Sequence, residues 1–181
     1  MRKICVLMLV CLLAVSALAD IRGIHWGNSE EEVKQVETAT FMWAKTEPSF
    51  IDVKTKIDST VLVYTDTMFD CRTNISYYFW EDQMYEVSLI IHLSDLIDDD
   101  RSALKKAIFN SLAEKYGKSV RILTAELWDT EQLKIRYAPL ADACIITYTH
   151  KAISNSKDKA IAKLKEEKLN KVINQDDLDK L

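Results

Sequence analysis

The residues whose types could do chemistry are few and scattered: His25, His92, His150, the cysteines Cys71 and Cys144, and the acidic run Asp95 to Asp100. A zinc site draws on histidines and cysteines at short spacings such as HxH or HExxH. The three histidines show neither, so no metal is expected, and a lone histidine without a partner nearby in sequence reads as structural or merely exposed. DLIDDD lacks the alternating oxygen ligands, the glycine and the closing glutamate of a calcium loop. Its acids instead suit the first turn of a following helix, where they complement the helix dipole. No G-x-S-x-G elbow and no S-x-x-K motif offers a serine nucleophile, and nothing in the chain implies a cofactor. Asn74-Ile75-Ser76 matches a glycosylation acceptor, a pattern too short to carry weight alone.

Two other stretches hold more promise. In YYFWEDQMY, strand alternation sends Tyr77 and Phe79 to one face and Tyr78 and Trp80 to the other. One set must pack in a core. The other, with Tyr85, is a candidate aromatic binding surface. The second stretch is GIHWGNS, where Gly23 and Gly27 permit tight backbone before a helix capped by Ser29, and Trp26 can cover a junction between helix and sheet. This reads as a structural latch, with His25 the weaker, functional alternative.

The chain opens with MRKICVLMLVCLLAVSALAD, which has the basic start, the apolar run and the small-x-small ending of an export signal. Cleavage after Ala19 is expected, giving a periplasmic or extracellular protein with no transmembrane segment left on it. Lipid attachment at Cys11 is disfavoured by the bulky Leu9 and Val10 before it. The whole chain carries 24 Lys and Arg against 28 Asp and Glu, a formal net charge of −4. Loss of Arg2 and Lys3 with the signal makes it more acidic still, which argues against nucleic-acid binding. In an exported protein, Cys71 and Cys144 are a candidate disulfide, worth on the order of 4 kcal/mol across so long a loop. Two buried free thiols are the other reading.

The elements that would position these residues follow from periodicity. SEEEVKQVE has Ser29 and Glu32 at capping-box spacing, and a helix is expected behind them. FMWAKTEPSFIDVKTKID is ambiguous, a short helix or a loop, with Pro48 as a breaker. Three runs rich in Val, Ile, Thr and Tyr then read as an antiparallel meander: VLVYTDTMFD, NISYYFW and MYEVSLIIHL. Next, DDDRSALKKAIFNSLAEKYGK puts Leu104, Ile108 and Leu112 on one helical stripe, with Gly117 as its C-terminal cap. VRILTAELWD, LKIRYAPL and CIITYTH supply three more strands. The expected fold is therefore α+β: two helix-then-three-strand halves, about 20–97 and 98–150, with both helices on one face of antiparallel sheet. The segment 151–181 alternates charges around Ile161, Leu164, Leu169 and Val172 and reads as a C-terminal amphipathic helix.

Arg22-Gly23-Ile24, Trp26-Gly27, Ser29 and Glu32-Val33 resemble the start of the mature domain in small exported bacterial proteins with an RGIxWGxSxEEV-type pattern. With the repeated helix-and-sheet order, the chain is similar to the β-lactamase-inhibitor-protein-like fold and to the small lipoprotein subunit of the outer-membrane barrel-assembly machinery. The likeness implies a module that acts by binding. The expected function is thus a non-catalytic binding or envelope-associated interaction module, with a protein partner in the envelope or outside the cell. The rival is an extracytoplasmic hydrolase whose site is assembled only in three dimensions.

Overall fold

The structure is a computed structural model and describes residues 21–48 and 58–178; the segment read as an export signal lies outside the described residues. Ser29 caps helix α1 (Glu30–Val36) through the full capping box, its side chain accepting from the Glu32 amide while Glu32 reaches back to the Ser29 amide. Only Val33 of this short helix is buried, so its place depends on its ends. Asp82, from a distant turn, accepts a further hydrogen bond from the Glu30 amide at 2.9 Å.

Four strands follow: β1 (Thr40–Pro48), β2 (Asp58–Met68), β3 (Cys71–Trp80) and β4 (Gln83–His92). Helix α2 (Asp98–Tyr116) then leads to β5 (Val120–Ile122), β6 (Ala125–Asp129), β7 (Leu133–Pro139) and β8 (Ala143–His150). Helix α3 (Lys151–Leu178) leaves β8 without an intervening loop. All eight strands form one antiparallel sheet in the order β1-β2-β3-β4-β8-β7-β6-β5, so each half contributes four strands and the halves meet at β4 and β8.

Each half thus has one strand more than the sequence led us to expect. FMWAKTEP, read as helix or loop, is β1, and its Pro48 is tolerated at the last position of an edge strand. VRILTAELWD, read as one strand, is two, folded back at Leu123 and Thr124. Three hairpin turns hide their nature by using non-glycine residues at positive φ: Phe69-Asp70 (56° and 60°), Glu81-Asp82 (49° and 57°) and Leu123 (55°).

Alternation sorts the sheet into two faces. On one, Leu62, Ile75, Tyr77, Leu89 and Ile135 are buried against Val33 of α1 and against Leu104, Ile108 and Leu112 of α2. Two polar handles fix α2 to this face: Trp128 Nε1 donates to the Gly117 carbonyl at 2.8 Å, and the Tyr137 hydroxyl donates to the Lys105 carbonyl at 2.9 Å. Gly117, at φ 81°, ends the helix, and Asp98 to Asp100 occupy its first turn. On the opposite face, Trp80 and Tyr85 are covered by Ile153, Ala160, Ile161 and Leu164 of α3.

Cys71 and Cys144 are both buried free thiols. The candidate disulfide is thereby corrected, and the sheet gives the reason. Strands β3 and β8 flank β4 on opposite sides, so their backbones stand two strand spacings apart, about 9.5 Å. A disulfide needs Cα atoms within about 7 Å. Cys144 instead lies 3.4 Å from the Tyr137 hydroxyl, and burial pushes both thiols up in pKa.

Candidate functional site

The GIHWGNS stretch is held by backbone. The Gly27 amide donates to the Met84 carbonyl at 3.0 Å and the Met84 amide to the Asn28 carbonyl at 2.9 Å, which ties the segment to the start of β4. Gly23 and Gly27 take φ of 78° and 86°, a region that L side chains rarely adopt. Trp26 stacks on His150, ring centroids 5.7 Å apart, where β8 passes into α3. The Nδ1 of His150 is buried without a hydrogen-bond partner, and burial lowers its pKa. These contacts clamp the N-terminal turn, the β3–β4 hairpin and the root of α3 together. His25 is exposed, and among the described residues no three metal-ligating side chains converge.

The aromatic run is distributed over both faces. Tyr77 and Phe79 are fully buried in the main core, Trp80 and Tyr85 lie beneath α3, and Tyr78 is half-buried beside them. A bulge in the β3–β4 ladder aims Tyr85: Tyr78 pairs with Glu86 and Phe79 with Met84, leaving Tyr85 as the extra residue. Lys157 of α3 sits over the Tyr85 ring at 3.9 Å. Glu86 accepts from the Thr149 hydroxyl at 2.9 Å, and burial raises its pKa. The aromatic set is therefore occupied by the chain's own helix.

The polar cluster that sequence reading missed centres on Glu37, at the junction of α1 and β1. Its buried carboxylate accepts from the Tyr77 hydroxyl, from Arg22 Nη2 at 3.1 Å and from the Ala39 amide at 2.8 Å. Arg22 also pairs with Asp66 at 2.8 Å. Burial and the nearby Glu37 push the Tyr77 hydroxyl far up in pKa, so it stays a proton donor. The Tyr64 hydroxyl is buried beside this cluster without a partner, and the Tyr64 ring meets Tyr77 edge-on at 5.8 Å. The Tyr77 hydroxyl, the Arg22 guanidinium and the Ala39 amide all meet the Glu37 carboxylate, so the cluster fixes the α1–β1 corner rather than presenting a base to solvent.

That corner carries the largest group of adjacent exposed apolar side chains at the β1 edge. Phe41, Met42 and Trp43 are 50%, 49% and 46% exposed. The β1–β2 register slips between Phe41 and Trp43, leaving Met42 as a bulge; Phe41 then pairs with Tyr64 and Trp43 with Val63, so the triplet wraps the edge, with Phe41 on one face of the sheet and Trp43 on the other. Phe41 packs edge-on against Tyr64, centroids 5.4 Å apart, so this one member of the triplet stands on the rings beside the Glu37 cluster. No described strand pairs with the outer side of β1. Comparisons with family models, with curated proteins and with solved structures find no match. A functional reading therefore rests on this geometry and on the chain's own chemistry. The only sequence signal for the patch was the triplet FMW itself, whose run of three large side chains fits neither a helical nor a strand period.

Proposed function

We propose that the chain is a non-catalytic interaction module of the cell envelope that takes a protein partner along its β1 edge. The observation that carries the reading is the half-exposed triplet Phe41-Met42-Trp43 wrapped around an edge strand, with Phe41 held against Tyr64 and Tyr64 against Tyr77. Aromatic side chains held on a rigid support are the usual anchors of protein interfaces, because little side-chain freedom remains to be lost on binding. The bulge at Met42, with Lys45 and Pro48 further along, blunts simple strand-on-strand addition. The partner then reads the side chains more than the open backbone. The likeness of the Arg22 to Val33 segment to small exported binding modules points the same way. A hydrolase would need an accessible acid–base pair, and the buried Glu37 and Glu86 carboxylates are engaged by donors of the protein itself.

A photo-crosslinking amino acid placed at Met42 in the producing cell tests this. The expected result is one adduct of defined mass that is missing when the same group replaces Lys106, exposed on α2. Identical adducts from both positions, or none from position 42, would overturn the proposal.

A further inference from the structure

The opposite edge of the sheet offers a different surface. Val120, Ile122 and Leu123 are 65%, 53% and 91% exposed, and no described strand pairs with the outer side of β5. Leu123 takes a φ of 55°, the left-handed region that disfavours a bulky L side chain. Asparagine or glycine would relieve the backbone and remove the apolar surface at once. A leucine here is unfavourable on both counts, which points to a use for the side chain outside the fold.

The surroundings of this tip are basic. Pairing of Val120 with Leu127 and of Leu127 with Arg136 puts these side chains on one face of the sheet, with the exposed Lys134 beside them. Lys118 precedes the strand and is exposed, while Arg121 is its middle residue, on the other face and paired with Glu126. The nearby acids are already engaged: Glu126 by Ser119 at 2.7 Å and Arg121 at 3.9 Å, Asp129 by Lys151 at 2.8 Å, and Asp142 by Arg101 at 3.0 Å. An apolar point with a basic collar is thus built into a protein of formal net charge −4.

We propose that the tip Val120 to Leu123, with Lys118, Lys134 and Arg136 around it, is a contact site for an anionic lipid surface. The charge is complementary to acidic headgroups, and lysine and arginine stems can lie along the acyl boundary while their heads stay in water. A protein interface is the poorer fit, since lysine is depleted there. No described helix is long and apolar enough to cross a membrane. The inference deepens the envelope-associated part of the reading above but rests on the other edge, so crosslinking at Met42 and lipid binding can fail independently.

The test is co-sedimentation of the protein purified from its producing cell with vesicles of phosphatidylcholine alone or with roughly 30% phosphatidylglycerol. Wild type is expected to partition onto the anionic vesicles and to be released by high salt. The double variant Ile122→Ser, Leu123→Asn is expected to partition at least ~10-fold more weakly, as loss of two buried aliphatic groups implies. Asparagine suits the left-handed backbone, and an unchanged melting curve would show that the variant is folded. Equal partition of wild type onto both vesicles, or an unchanged partition of the variant, overturns the proposal. Self-association that the variant abolishes, without vesicle binding, would also overturn it and place a second copy of the chain on the tip.

Discussion

Replacing Glu37 by alanine takes one carboxylate from the α1–β1 corner and leaves three donors behind. The Tyr77 hydroxyl lies in the core and loses its acceptor, so it bears most of the desolvation cost of an unsatisfied group, about 1–3 kcal/mol. The Ala39 amide is partly buried and can reach water, and Arg22 keeps Asp66 at 2.8 Å, so each adds less, on the order of 0.5–1 kcal/mol. The total is about 3 kcal/mol, at the low end of the ~3–5 kcal/mol typical of breaking a buried ion pair. For a domain of this size that lowers Tm by roughly 6–12 °C. Urea unfolding of Glu37→Ala should show a fall in midpoint at unchanged slope. Tyr77→Phe removes one donor and leaves the ion pair, so it should cost only about 1 kcal/mol. The double variant should then cost less than the two single changes together, because the hydroxyl is no longer stranded. Additive losses, or a total for Glu37→Ala below ~1 kcal/mol, would refute the view that this carboxylate organises the corner.

Acidification should act on the clamp at the root of α3. Burial holds the His150 pKa below its ordinary value, so the folded state binds fewer protons than the unfolded chain, and stability is lost as pH falls through the unfolded value near 6.5. His150→Phe keeps a ring against Trp26, and its Tm should fall less than that of wild type between neutral pH and pH about 5.5; parallel profiles would show that His150 does not titrate in this window. The buried thiols give another check. Cys71 and Cys144 should resist alkylation in the native protein and react fully in denaturant without any reductant. A need for reductant would restore the disulfide.

Legibility followed the strength of local chemistry. The capping box at Ser29 and the Leu104, Ile108, Leu112 stripe were plain because cap and period agree with the fold. Strand β1 was not, since the Met42 bulge interrupts the alternation that marks a half-exposed strand. Strands β5 and β6 merged in the reading because Leu123-Thr124 carries none of the glycine, asparagine or proline that signals a hairpin. Alternation divided Tyr77 and Phe79 from Tyr78 and Trp80 as read, but only tertiary structure could say that α3 lies over the second pair. Glu37 was invisible for a related reason: its side-chain partners Tyr77 and Arg22 lie 40 and 15 residues away, in β3 and in the turn before α1.

The strand order has a mechanical consequence. Because the first strand of each half lies outermost, β1 and β5 are separated by the full width of the sheet, seven inter-strand steps or about 34 Å. With a twist of roughly 20–25° per step, the two edges are rotated by about 140–175° relative to each other. The molecule is in this sense a rigid bracket of fixed reach. Whatever binds at Phe41 to Trp43 is held at a set height, and in a set orientation, from whatever receives Leu123.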